Sequence, residues 1–157
     1  MGLLEDISKR SGVEFRPAAI SEIEQLRSIG MPEDALAFYR DSEPAKCAEI
    51  NRVRLWPIFN VLEENKNYVP GHSLQPLGFM VFATTIFGDT FCFDTDTAPT
   101  SETAPVVLMA HDVEWDELKP DEILELAKPV ASSLDAFLQK YAAGTLELTP
   151  LYPAANS

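Results

Sequence analysis

A chain of 157 residues, 46% of them hydrophobic, is long enough to bury one sizeable core, so a single domain over residues 1–157 is expected. Its 25 acidic and 12 basic side chains leave a formal charge of −13, which opposes binding to nucleic acid or to an anionic membrane and favours encounter with a basic protein. The acid is unevenly spread, with 12 acidic and 9 basic groups in residues 1–66 (net −3) against 13 and 3 in residues 67–157 (net −10).

The two cysteines, Cys47 and Cys92, fall in a loop region and inside an apolar strand, so a disulfide framework is not indicated. Glu5 and Asp6 near the start are not followed by an apolar run, and no stretch has the length of a membrane-spanning helix, which predicts a cytoplasmic chain.

Taken in order, Leu3, Leu4 and Ile7 predict a short helix before Ser11-Gly12, and residues 1–19 are expected to form a peripheral arm to a core of about 20–142. Ser21 with Glu24 has capping-box spacing, and Ile23, Leu26 and Ile29 form an apolar stripe that Gly30 ends. Pro32 suits a first helical position. Glu33 and Asp34 favour the positive end of the helix dipole, and Ala35, Phe38 and Tyr39 line one side of a second helix. Imperfect alternation over residues 48–56 predicts one outer strand with Arg52 and Arg54 facing solvent. Trp56 beside Leu55 and Ile58 reads as core. Pro57 opens a helix of one or two turns, the polar run 63–67 follows it, and Pro70, Gly71, His72 and Pro76 mark a loop.

The centre of the chain is residues 77–94, where Phe79, Met80, Val81 and Phe82 form one apolar run and Phe91, Cys92 and Phe93 another, with Gly88-Asp89 between them. Runs apolar at odd and even positions alike cannot leave one face in water, so this is a hairpin covered on both sides. Each fully buried Phe or Val there contributes roughly 1.5–3 kcal/mol. Residues 95–104 read as an exposed loop. Val106 to Ala110 form a third buried strand ending at His111-Asp112, and Pro120 with Asp121 and Glu122 starts a helix inside the acidic segment 113–126. Pro129 is expected to interrupt or kink that helix. Leu134, Phe137, Leu138 and Tyr141 give a last helix to Gly144, and residues 145–157 form a second arm. Two helices, several strands and a closing helix predict an α+β domain with a mostly antiparallel sheet, flanked by an N-terminal helical hairpin and a C-terminal helix.

The chemistry is sparse. His111 with Asp112 and Asp94 sketches a metal or acid/base cluster, but a His-Asp pair at a strand end is commonly a hydrogen-bonded surface pair. No phosphate loop, Cys-x-x-Cys or nucleophile elbow occurs, so no catalytic residue, no metal and no cofactor is expected. Binding is better supported: Asp94, Asp96, Glu102, Asp112, Glu114, Asp116 and Glu117 are candidate contacts for a basic protein, with Trp115 as an aromatic anchor among them.

A capped helix, Met-Pro-Glu-Asp leading to Phe-Tyr (31–39), a strand ending at Trp56-Pro57, and Gly-Asp followed by aromatic-x-aromatic-Asp (88–94) succeed one another along the chain. Pro-Val before a strand ending in His-Asp (105–112) and Ala-Ser-Ser-Leu-x-x-Phe-Leu (131–138) complete the series. Over roughly residues 20–140 this succession resembles the SUKH superfamily, which includes cell-wall-assembly regulators and bacterial immunity proteins. The resemblance implies a compact α+β domain without catalytic machinery, acting on a polymorphic toxin, often a nuclease, by stoichiometric binding. Alternatives are a regulatory scaffold that binds a host protein through the same acidic face and, less favoured, an enzyme using His111 and Asp112. The hairpin turn departs from the family in carrying Thr85, Ile86 and Phe87 where a second glycine is common. The acidic segment 113–126 is also longer than expected, which marks it as a candidate specificity element.

Overall fold

The computed structural model describes residues 2–68, 70–96 and 103–153. In chain order the elements are α1 (Leu3–Ser11), β1 (Phe15–Arg16), α2 (Ile20–Ser28), α3 (Glu33–Ser42), β2 (Glu43–Pro44), β3 (Ala48–Ile50), β4 (Val53–Leu55), α4 (Ile58–Asn67) and α5 (Gly71–Leu74). They continue with β5 (Phe79–Thr85), β6 (Thr90–Asp94), β7 (Val106–Met109), α6 (Pro120–Glu125), β8 (Lys128–Ala131) and α7 (Leu134–Ala143). Strands β3 to β8 form one six-stranded meander in sequence order, each antiparallel to its neighbour, while β1 and β2 make a separate two-stranded ribbon. The α+β class and the antiparallel sheet are as the sequence predicts.

Every residue of β5, β6 and β7 is buried, because the sheet is covered on both faces. On the first face Met80, Phe82, Phe91, Phe93, Val106 and Leu108 meet Ile7, Leu26, Leu36, Phe137 and Tyr141 from α1, α2, α3 and α7. Phe82 stacks on Phe93 with centroids 4.1 Å apart, and Phe137 presents its edge to Phe82 and Phe91 at 4.9 and 5.1 Å. On the second face Phe79, Val81, Cys92, Val107 and Met109 meet Leu74, Trp115, Ile123 and Leu126. The second cover is built from short segments with little helix, and it carries the acidic stretch.

Several expectations are corrected. Helix α2 begins a residue before Ser21, with Ala19 as its N-cap, and its box partner is Glu22, whose carboxylate accepts from the Ala19 N–H at 3.3 Å. Pro32 is the N-cap of α3, one place before its first helical position. Residues 48–56 form the hairpin β3–β4 instead of one strand: Asn51 and Arg52 take φ of 51° and 67°, the left-handed pair that suits a two-residue turn between twisted strands. Asn51 is held there by donating to the carbonyls of Tyr141 (2.9 Å) and Ala142 (3.1 Å). Arg54 is exposed as expected. Helix α4 runs three turns, straight through the polar stretch 63–67, and residues 71–77 are a helical turn followed by a 3-10 turn, not a loop. Pro129 lies in strand β8, at the sheet edge, where a missing N–H costs no ladder bond. Residues placed among the peripheral arms contribute Ile7, Val13 and Leu146 to the core. The exposed loop expected at 95–104 falls largely on residues 97–102, and the end of the tail on 154–157, both outside the described residues.

Glu43 sits at the seam between the ribbon and α4, 8% exposed, and accepts from the Ile58 N–H at 2.8 Å. Burial raises its pKa above the ordinary 4.5, so the folded state holds its proton more tightly than the unfolded chain does. Its contribution is therefore complete below pH 4.5 and is lost as pH rises through the higher folded value. Glu43→Gln keeps an acceptor for Ile58 and cannot ionise. Urea unfolding at pH 4.5 and at pH 7 is expected to show the variant gaining on the wild type as pH rises; a difference that is flat across that range contradicts this account.

Candidate functional site

The chain leaves β7 at His111 and folds back across the second sheet face. Its course is set by alternating commitments: Trp115, Ile123 and Leu126 point in and are buried, and Val113 and Leu118 are half-buried beside them. Trp115 is 1% exposed, and its Nε1 donates to the Ala110 carbonyl at 2.9 Å; it opens a single 3-10 turn over residues 115–117, closed by the Leu118 N–H donating to the Trp115 carbonyl at 3.2 Å. Pro120 then opens α6, and the Glu122 carboxylate accepts from the Lys119 N–H at 3.0 Å to cap its first turn. With the inward positions taken by apolar side chains, Asp112, Glu114, Asp116, Glu117, Asp121, Glu122 and Glu125 are all exposed, and Lys119 is the one basic residue between 111 and 125.

The C-terminal segment returns here and brings Tyr152 near Asp112. Two contacts fasten this face. Asp116 accepts from the Ser73 hydroxyl of α5 at 2.5 Å. Asp89, buried in the β5–β6 turn, accepts from the His111 backbone N–H at 3.0 Å and lies 2.7 Å from His111 Nδ1. Gly88 makes the turn that carries Asp89: its φ of +98° is one that L side chains rarely adopt, and the His111 imidazole packs beside it.

The structure divides the residues singled out from the sequence. Asp112, Glu114, Asp116 and Glu117 are all exposed on the segment that crosses the second sheet face. Trp115 does not join them. It is the peg beneath, since an indole of that size is better buried against Cys92, Val107 and Met109 than left among carboxylates. Asp94 is 6% exposed and sits at the opposite end of β6 from Thr90, while Asp96 is exposed just beyond it. Because β7 runs antiparallel to β6, Asp112 returns beside Asp89, and a five-residue strand keeps Asp94 about 15 Å away. The His111, Asp112 and Asp94 cluster is thereby ruled out as drawn. Glu102 lies outside the described residues.

Asp89, His111 and Asp112 place one potential ligand atom each within 4.8 Å of one another. Asp89 Oδ1 already serves both the His111 N–H and its ring, so the arrangement is complete as a latch between the β5–β6 turn and the end of β7. Burial pushes the Cys92 thiol up to about 12 and raises that of Cys47, so both stay protonated and weakly nucleophilic near neutral pH. Among the described residues no helix is long and apolar enough to cross a membrane.

The site set read from the sequence omitted Asp121, Glu122, Glu125 and Tyr152. The first three stood within the acidic segment and were readable as a helix start. Nothing local marked Tyr152, whose role depends on a tail returning across the fold. None of the curated proteins compared with the chain matches it. The profile of the SMI1 / KNR4 family (SUKH-1) matches residues 15–140, from β1 into α7 and so across the whole sheet. With the fold agreeing and the match covering most of its length, the chain belongs to the SMI1 / KNR4 family (SUKH-1).

Proposed function

We propose that this chain is an immunity-type protein that binds a cognate toxin with a basic surface, such as a nuclease domain, and neutralises it by stoichiometric contact through the outward side of residues 111–125. The observation carrying the reading is a fixed acidic face: seven exposed carboxylates on a segment pinned by Trp115, Ile123 and Leu126, answered by one lysine. Family membership supports a protein partner. A nuclease presents lysine and arginine to phosphate, and carboxylates offered at the same places compete for that surface and speed encounter. Rigidity matters because carboxylates already in position lose little freedom on binding.

Capture of partners from the source cell on immobilised protein, with elution by salt, identifies the toxin. Association rates against ionic strength then test the mechanism. The triple variant Glu114→Gln, Asp116→Asn, Glu117→Gln keeps each side chain's shape and the Asp116 acceptor. It is expected to slow association roughly 10-fold at low salt and to flatten the salt dependence. An association rate indifferent to both salt and the triple variant overturns the acidic-face reading. A partner from the host without toxic activity points to the scaffold role instead, and turnover of a substrate by the purified chain alone points to an enzyme.

A further inference from the structure

Between α6 and the C-terminal segment lies an open groove of about 600 Å³. Leu126, which is buried, and Leu118, which is half-buried, line it on one side, and the exposed Leu151 and Tyr152 line it on the tail side. Glu122 and Glu125 border it from α6; three residues apart, they share one helix face. Glu122 spends one oxygen on the Lys119 N–H, and Glu125 has no ion-pair partner among the described residues. The Tyr152 ring lines the groove on the tail side, near Asp112.

Three leucines, an aromatic ring and two carboxylates along one groove match one kind of side chain: a long aliphatic stem ending in a planar cation. We infer that this groove seats an arginine presented by the partner, an assignment that rests on the toxin-binding reading above and says where on the acidic face its specificity lies. The stem lies along Leu118, Leu126 and Leu151, as arginine stems do on apolar surface. The guanidinium stacks on Tyr152 and meets Glu122 and Glu125 through its fork of N–H donors. An isolated acidic patch attracts any cation, but a trough with a ring and a paired carboxylate row distinguishes arginine from lysine.

The test is an amide-resolved NMR titration of the full chain with N-acetyl-arginine methylamide, alongside the lysine and citrulline counterparts. Shifts are expected to gather at Glu122, Glu125, Leu126, Leu151 and Tyr152, to be several-fold weaker with lysine and to vanish with citrulline. The double variant Glu122→Gln, Glu125→Gln, which retains the helix cap, and Tyr152→Ala are each expected to reduce them several-fold. Shifts spread evenly over residues 112–117, equal responses to lysine and arginine, or responses untouched by either variant overturn the assignment. The toxin complex separates this failure from that of the parent reading. A complex indifferent to both variants removes the groove and leaves the acidic face, whereas arginine binding in a chain that captures no toxin leaves a guanidinium site and removes the immunity role.

Discussion

Replacing Asn65 by leucine is expected to lower the unfolding free energy by about 3–5 kcal/mol, although the exchange swaps a polar side chain for an apolar one of similar size in the core. Strand β4 pairs with β5 only as far as Leu55 with Ala83, and the last bond across that edge is from the Trp56 N–H to the Phe82 carbonyl at 3.2 Å. At Val81 the neighbouring strand has ended. The Asn65 side chain, 2% exposed, takes its place: Oδ1 accepts from the Val81 N–H at 2.9 Å, and Nδ2 donates to the Val81 carbonyl at 2.8 Å and to Val61 at 2.8 Å. Leucine leaves the Val81 donor and acceptor buried without partners, and each such group costs about 1–3 kcal/mol. Urea unfolding measures the loss. A value under about 1 kcal/mol shows that water or a shifted strand substitutes for the amide, and that the side chain is not completing the sheet.

How much of this fold was legible depended on where each side chain's partner lies. Phe79 to Phe82, Phe91 to Phe93 and Val106 to Met109 announce buried strands because unbroken apolar runs have one stable placement, between two covers. Leu134, Phe137, Leu138 and Tyr141 announce α7 by spacing alone, and all four are buried. Asn65 was not legible, since a lone Asn among Glu, Lys and Asn reads as solvated surface until a backbone 16 residues away proves to need it. The Asn51-Arg52 turn lacks the glycine that advertises such hairpins, and its Asn is fixed by carbonyls some 90 residues distant. Lys-Pro-Val-Ala at 128–131 reads as a helix interruption because proline is disfavoured in strands, and only an edge position makes it acceptable. The scatter of the candidate acids was partly within reach: once β6 and β7 are taken as an antiparallel pair, Asp112 must return to the Asp89 end and Asp94 must stand at the other. The reversal of Trp115 from contact to core was out of reach, because its sequence neighbours are acids and its spatial neighbours are not.

That reversal makes Trp115 the position where fold and function can be separated by measurement. Trp115→Ala is expected to cost about 3–5 kcal/mol, the usual range for emptying a buried tryptophan site. The indole touches the second sheet face and its N–H satisfies Ala110, so the cavity opens between the sheet and the acidic segment, not deep inside one layer. Loss should therefore be local before it is global: amide hydrogen exchange across residues 112–126 is expected to accelerate far more than exchange in β6 or α7, whose cover on the first face is untouched. Trp115→Phe restores most of the ring volume but not the bond to Ala110 and should recover the larger part of the stability. For the partner, freeing the segment makes its carboxylates pay ordering entropy on binding, so the alanine variant should bind at least about 10-fold more weakly while its charge is unchanged. The dissociation rate should carry most of that change, in contrast to the association rate altered by neutralising Glu114, Asp116 and Glu117. If exchange at 112–126 stays as slow as in the wild type, the indole is not what holds the acidic face. If affinity survives while that segment is mobile, the face binds as a flexible polyanion and its fixed geometry carries no specificity.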